Sequence, residues 1–528
     1  MHEWLEHASF YEIYPQSFLD TDGDGIGNFE GIIEKLDYIK SLGANALWLN
    51  PCFDSPFGDA GYDVRDYKKT AARYGTNDDL VRLFSEAHKR DMHVLLDLVP
   101  GHTSVEHPWF IESMKAEKNE FTDRYIWSDS IWNNTDSVLP SIRGISDRDG
   151  CAAVNFFSSQ PALNYGFLDP KEPWQQPMDA PGPMATREAM KDVMRFWLDL
   201  GCDGFRIDMA HSLVKGDDEE YSGTVSLWQD FRRFWDSEYP EAVMVSEWGE
   251  PDKSLKGGFH MDFLLHFGPS HYNDLFRCEE PFFSERGKGS AKEFVETYLK
   301  NRAKAPDGLI CIPSGNHDMD RMARYLTPAE MKHAFTFLYT MPGAPFLYYG
   351  DEIGMRFVEG LTSKEGGYSR TGARSPMQWD SSENAGFSSA DASALYIPLD
   401  PSGDRPTVSA QEADPSSLLN HVRGMQSLRA KYPALGNTGN IRFLSYESYP
   451  LSYLRYTDSE ELLVILNPGN SEAVTRVPLN WLHGVALTPV ALFGSRRECL
   501  SFEGVDENNQ LTVRIDGATS VILKVRRQ

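Results

Sequence analysis

The feature that most constrains this chain is an alternation of short apolar runs with longer amphipathic ones, repeated eight times. Residues 10–15, 46–51, 93–100, 205–209, 243–246, 259–265, 309–313 and 345–349 read as strands, apolar almost throughout, as strands buried on both faces are. Between them, segments such as 31–43, with apolar residues at 32, 33, 36, 39 and 42, follow the spacing of a helix face. Segments 77–92, 187–200, 225–238, 291–303, 328–341 and 416–431 do likewise. Eight strand–helix units predict an α/β chain folded as a closed parallel (β/α)8 barrel, more naturally than an open doubly wound sheet.

Two excursions interrupt the alternation, and its last part abandons it. Residues 103–185 and 352–415 are too long for ordinary loops. From about residue 434 short alternating strands take over, such as Leu462–Leu466 and Val521–Val525. The expected organisation is a barrel over 1–102 and 186–433 and a subdomain over 103–185 inserted after strand three. A C-terminal antiparallel β-sandwich over 434–528 completes it.

Against this apolar background the strand ends stand out. Strand three closes on Asp97 and leads to His102, and strand four carries Arg206 and Asp208 two residues apart, on one face. Strand five runs into Glu247 and strand seven into Asn316-His317-Asp318. An isolated Arg-x-Asp is more often a structural ion pair than a functional one. Barrel enzymes, however, build their sites at the C-terminal strand ends, and no packing argument calls for carboxylates, histidines and an arginine on one rim.

Composition narrows the partners. A formal net charge of −27 repels nucleic acid and anionic membranes, and no apolar run is long enough to span a bilayer. The first residues show no signal peptide, so a cytoplasmic location is expected. Six scattered cysteines without a Cys-x-x-Cys pair point to reduced thiols. One metal motif is evident: Asp20, Asp22, Asp24 and Asn28 present oxygens around a glycine-rich turn, with the Ile26 carbonyl available between them. Clustered oxygens suit a hard cation, Ca²⁺ or alternatively Mg²⁺, in a structural role.

The segments at strands three, four, five and seven resemble the four hallmark regions of the α-amylase superfamily of glycoside hydrolases. Ala373-Arg374-Ser375-Pro376-Met377-Gln378-Trp379-Asp380 and Gln160-Pro161-Ala162-Leu163-Asn164 are similar to motifs of its oligo-1,6-glucosidase, α-glucosidase and trehalose synthase branch. The resemblance implies Asp208 as nucleophile, Glu247 as acid/base and Asp318 as a third acid that holds the sugar's hydroxyls. Arg206 is expected to orient Asp208 and keep its pKa low, and the two carboxyls to lie about 5–5.5 Å apart, as retention requires. It implies His102 and His317 as hydrogen-bond partners of the reacting sugar, Tyr62 stacked beneath it, Asp59 at its far side and Arg374 closing the pocket. The loop at residues 20–28 is similar to the calcium loop of oligo-1,6-glucosidases.

Two departures matter. Gly101 and Ala162 stand where many α-amylases have calcium ligands, so a second calcium site is not expected. The expected activity is that of a retaining α-glucosidase on short α-linked gluco-oligosaccharides. Transfer or isomerisation, of the trehalose synthase or sucrose isomerase type, is the alternative, and endo-amylase action is less in keeping. A catalytically dead transporter subunit is disfavoured, because all three acids are present. Met209, after the nucleophile, matches no usual linkage pattern, and His211 either bonds the leaving sugar or merely packs.

Overall fold

A computed structural model describes residues 2–136, 139–305, 307–482, 486–493 and 499–526. Eight parallel strands form one sheet: β1 (Phe10–Ile13), β2 (Ala46–Leu49), β3 (His93–Leu98), β4 (Gly204–Ile207), β5 (Val243–Ser246), β6 (Met261–Phe263), β7 (Leu309–Cys311) and β8 (Phe346–Tyr348). Their spatial order is β7-β6-β5-β4-β3-β2-β1-β8, and a parallel bridge between Pro313 and Phe346 joins the two ends. This is the expected (β/α)8 barrel. Its interior is filled rather than hollow. Phe10 stacks on Phe346 at 4.2 Å, and Phe263 meets Phe346 edge-on at 4.7 Å. Above them the buried polar groups Glu12, Asp97, Arg206 and His317 form a second layer toward the C-terminal rim.

The helices follow from local chemistry. Helix α1 (Phe29–Glu34) and helix α2 (Leu36–Ser41) replace the single helix read over 31–43. Lys35, at φ −103° and ψ 5°, breaks the run. Helix α3 (Asn77–His88) begins at a capping box in which Thr76 and Asp79 satisfy each other's backbone N–H, and it buries Leu80, Leu83, Phe84 and Ala87 along one face. Helix α4 (Pro181–Asp199) starts earlier than the reading at 187, so the division at 185/186 falls inside it. Pro181 and Pro183 sit in its first turn, where prolines cost no hydrogen bond, although as a sequence Pro-Gly-Pro reads as loop. Helices α5 (Ser222–Glu238), α6 (Lys292–Lys304), α7 (Pro328–Thr340) and α8 (Leu418–Lys431) complete the wall.

Between β3 and α4 the chain makes mostly irregular structure pinned by short bridges, including His102–Ala162 and Tyr125–Leu163, around a small core of Ile126, Ala153, Ala162 and Phe167. This segment stands beside the catalytic rim. The C-terminal region holds β9 (Asn440–Ser445), β10 (Leu451–Tyr456), β11 (Glu461–Asn467), β12 (Ala473–Pro478), β13 (Ala486–Phe493), β14 (Leu500–Val505), β15 (Gln510–Ile515) and β16 (Thr519–Arg526). They form a five-stranded antiparallel sheet, β9-β10-β11-β16-β13, and a three-stranded one, β12-β15-β14. Period-two alternation serves both faces of β11. Leu463 and Ile465 pack toward Val477, Val513 and Ile515, whereas Leu462, Val464 and Leu466 join the barrel's core. Among the described residues no helix is long and apolar enough to cross a membrane. The six cysteines are free, and all but Cys278 are buried.

Candidate active site

The centre of the rim is one guanidinium shared by three carboxylates. Arg206 is 1 % exposed, and its Nη1 lies 2.8 Å from Asp97 Oδ1 and 3.0 Å from Asp208 Oδ1. Its Nη2 lies 2.8 Å from Glu247 Oε1. The strand positions explain the convergence. Arg206 is registered beside Asp97 on β3 and Val245 on β5, so one side chain reaches both neighbouring strand ends. Asp208 lies just beyond β4, and Met209 after it is left-handed, at φ 42° and ψ 44°. A methionine there is strained by roughly 1–3 kcal/mol. The turn delivers its N–H to Glu247 Oε2 at 3.0 Å. The strand read over 205–209 ends at Ile207; a single left-handed residue carries no signature in an apolar run.

The charges correct one expectation. Arg206 does not hold Asp208 low. Burial and the adjacent Glu247 carboxylate push Asp208 well above the usual carboxylate range, against the pull of Arg206. Arg206, whose single charge also serves Asp97 and Glu247, does not offset them. Asp318 is the opposite case. Burial would raise it, yet His317, Arg374 and Arg370 hold it well below its ordinary value.

Asp318 and its partners also redistribute the predicted sugar contacts. Arg374 does not line the cavity. It is buried behind Asp318, donating from Nε to the His317 carbonyl at 2.8 Å and pairing through Nη2 with Asp318 Oδ1 at 2.9 Å. The arginine at the cavity wall is Arg370, 2.5 Å from the same oxygen. His317 is fully buried. Its Nδ1 lies 3.0 Å from Glu12 Oε1, and its Nε2 lies 2.7 Å from the Tyr62 hydroxyl and 3.2 Å from Asp318 Oδ2. Burial disfavours its charged form, but Asp318 and Glu12 overcome this and raise it to about 9. Both its nitrogens are thus occupied by protein groups, so in this structure it braces Asp318 and Tyr62.

The remaining predicted residues do surround a cavity of about 340 Å³. Tyr62 stacks on His317 at 5.5 Å and donates to Asp97 Oδ2 at 3.0 Å. His102 Nε2 is buried with no partner among the described residues, and burial pushes the ring down to about 3. Asp59 accepts from Gln160 Nε2 at 2.8 Å, and burial raises it to about 6. His211 lies on the wall of this cavity and on that of an adjoining open groove, its Nδ1 buried with no partner among the described residues. Asp97 stands out in the sequence at its strand end but was given no role, and Glu12 and Arg370 were missed as functional residues. The first two had a signal, a lone acid inside an apolar strand, whereas Arg370 lies on an irregular excursion that no periodicity indexes.

The expected metal loop comes together in part. Carboxylate oxygens of Asp20, Asp22 and Asp24 lie within 4.8 Å of one another. Asp20 Oδ1 accepts the Gly23 N–H at 2.8 Å, and Oδ2 accepts that of Gly25 at 2.8 Å, which closes the turn. Asn28 Oδ1 is committed to the N–H of Gly31, as the cap of α1, and to the Thr21 hydroxyl. The donor set fits a hard cation through its three carboxylates, with Asn28 having to release one bond to join them. At Gly101 a Cβ would stand 2.7 Å from Asn155 Nδ2. Asn155 Oδ1 accepts from Lys215 Nζ at 3.0 Å, and burial pulls that amine down to about 7.

The alpha-amylase catalytic-domain family matches residues 12–438. The chain is 34 % identical over 509 residues to a trehalose synthase/amylase of Mycolicibacterium smegmatis, covering 86 % of this chain and 80 % of that one. It is 32 % identical over 544 residues to an oligo-1,6-glucosidase of Parageobacillus thermoglucosidasius, covering 90 % and 92 %. The crystal structure of an α-glucosyl transfer enzyme superposes with a TM-score of 0.81 at 26 % identity, over the full length of both chains.

Proposed function

This chain belongs to the alpha-amylase family, and from that premise we propose that it is a retaining α-glucosidase acting on short α-linked gluco-oligosaccharides. The observation that carries the reading is the pair Asp208 and Glu247, held on adjacent nitrogens of one guanidinium at a cavity wall. Asp208 attacks the anomeric carbon as the glycosidic bond breaks, and Glu247 gives its proton to the departing oxygen. Glu247 then takes a proton from water, whose oxygen displaces Asp208 and releases the sugar with retained configuration. Two carboxyls and one mobile proton suffice for both steps. Asp318, anchored by Arg370 and Arg374, presents its carboxylate to the sugar's hydroxyls, with His102 Nε2 and Asp59 on the same wall.

The similarity to a trehalose synthase/amylase favours a second reading, transfer of the glycosyl group to a sugar hydroxyl instead of water. Incubation with maltose, isomaltose, sucrose, trehalose and maltotetraose decides between them. Glucose as the sole product from maltose identifies hydrolysis, and trehalose or longer products identify transfer. Asp208→Asn is expected to abolish turnover on all five, and surviving turnover overturns the nucleophile assignment. The reading includes a structural Ca²⁺ held by Asp20, Asp22 and Asp24, with Asn28 and the Ile26 carbonyl, supported by the convergence of the three carboxylates. Mg²⁺ is the competing ion.

A further inference from the structure

Asp262 is a charged residue inside β6 that the mechanism above does not use. It is fully buried and paired in register with Ser246, the residue before Glu247. Its Oδ1 faces the N–H groups of Trp248 and Gly249, at 3.3 and 3.5 Å, and its Oδ2 accepts the Ser254 hydroxyl at 2.8 Å. These amides belong to the two residues that follow Glu247. The chain reverses there through Gly249, at φ +79°, where a Cβ would also stand 3.1 Å from the Phe267 ring. A left-handed turn exposes successive N–H groups on one side, and a buried turn of that kind needs an acceptor. Asp262 is placed to be that acceptor.

We propose that Asp262 is a positioning residue for Glu247, gathering the two amides after it so that its carboxyl projects from the strand end toward the departing oxygen. Glu247 is then fixed from both sides. Arg206 and the Met209 N–H hold its oxygens, and Asp262 holds the backbone from which it extends. Burial raises Asp262 to about 7, and a group that accepts three donors is poorly replaced by an amide with one acceptor oxygen. A structural anchor for β6 alone would also be buried and bonded. The two roles separate by leaving group.

The inference rests on the acid role of Glu247 and holds for hydrolysis and transfer alike, since both require protonation of the departing oxygen. The test measures kcat/KM, which reports cleavage of the glycosidic bond, for Asp262→Asn on maltose and on para-nitrophenyl α-glucoside. The aryl group leaves with little protonation, so it bypasses a misplaced acid. Misplacement of Glu247 predicts a loss of about 100-fold on the disaccharide and under about 10-fold on the aryl glucoside. Equal losses on the two, or none, overturn the proposal. If Asp262→Asn does not fold, Ser254→Ala, which removes the donor to Oδ2, is expected to give the same selectivity in smaller measure, and its absence overturns the proposal equally. Failure of wild-type enzyme to cleave any α-glucoside would instead refute the functional reading, a distinguishable result.

Discussion

Two buried arginine sites in this molecule have opposite company. Arg206, at the catalytic rim, meets three carboxylates and lies 5.1 Å from the Trp48 ring. Arg429, on α8, meets none among the described residues. It donates to the carbonyls of Tyr339, Met341 and Gly343 and to Asn437 Oδ1, at 2.6–2.9 Å, and Arg455 on β10 likewise donates to the carbonyls of Thr340, Gly436 and Asn440. Carbonyls satisfy a guanidinium's geometry without answering its charge, so burial pulls Arg429 down to about 10 and Arg455 to about 9. Such sites lock the end of α7 to the C-terminal sheet. The rim site holds more negative charge than one arginine balances, and that excess adds to burial in raising Asp208 above the usual carboxylate range. Neutral acceptors make a joint; an unbalanced set of acids makes a catalyst.

The contrast breaks first at Arg206. Arg206→Ala strands three buried carboxylates, and we expect a loss of about 3–5 kcal/mol in stability together with a fall in kcat/KM of about 100-fold or more per folded molecule. Denaturant unfolding and active-site-normalised kinetics measure the two. Arg429→Met should cost about 3 kcal/mol, from buried carbonyls left without donors, yet leave kcat/KM within about 2-fold. A catalytic loss in Arg429→Met would erase the distinction drawn between the sites.

His317 sharpens the comparison through pH. Its folded pKa is raised from 6.5 to about 9, so its stabilisation is complete below pH 6.5 and is lost as pH rises through 9. Thermal melts of wild type should therefore fall more steeply over that window than those of His317→Gln, and parallel curves would contradict the pairing with Asp318 and Glu12. The smallest effect concerns the loop at residues 20–28. Chelation should lower the melting temperature by a few degrees and added Ca²⁺ restore it, since a hundredfold excess over Kd contributes about 2.7 kcal/mol. Initial rates at ordinary temperature should be unchanged.

Much of the rim was legible because a buried parallel strand is an apolar string in which a charge is conspicuous. Arg206, Asp208, Glu247, His317 and Asp318 were found on that anomaly together with the family motifs. The same anomaly marks Glu12 in Phe10-Tyr11-Glu12-Ile13 and Asp262 in Met261-Asp262-Phe263, which the motifs do not highlight and which went unread. Arg370 could not be found in this way. It lies among 3-10 turns over Tyr368–Arg374, where spacing says nothing of direction.

The sequence by itself determined the barrel, the excursion after β3, the β-rich C-terminal region and the acids at the strand ends, because period and polarity are local properties. Only the tertiary structure decided how charge is apportioned among those acids. Arg206 could be predicted to face Asp208, but not to be divided among Asp97, Asp208 and Glu247. Arg374 could be placed near the pocket, but not behind Asp318 with Arg370 in front. Electrostatic balance depends on distances between strands and loops far apart in the chain. In a buried site an ångström decides which carboxylate keeps the proton.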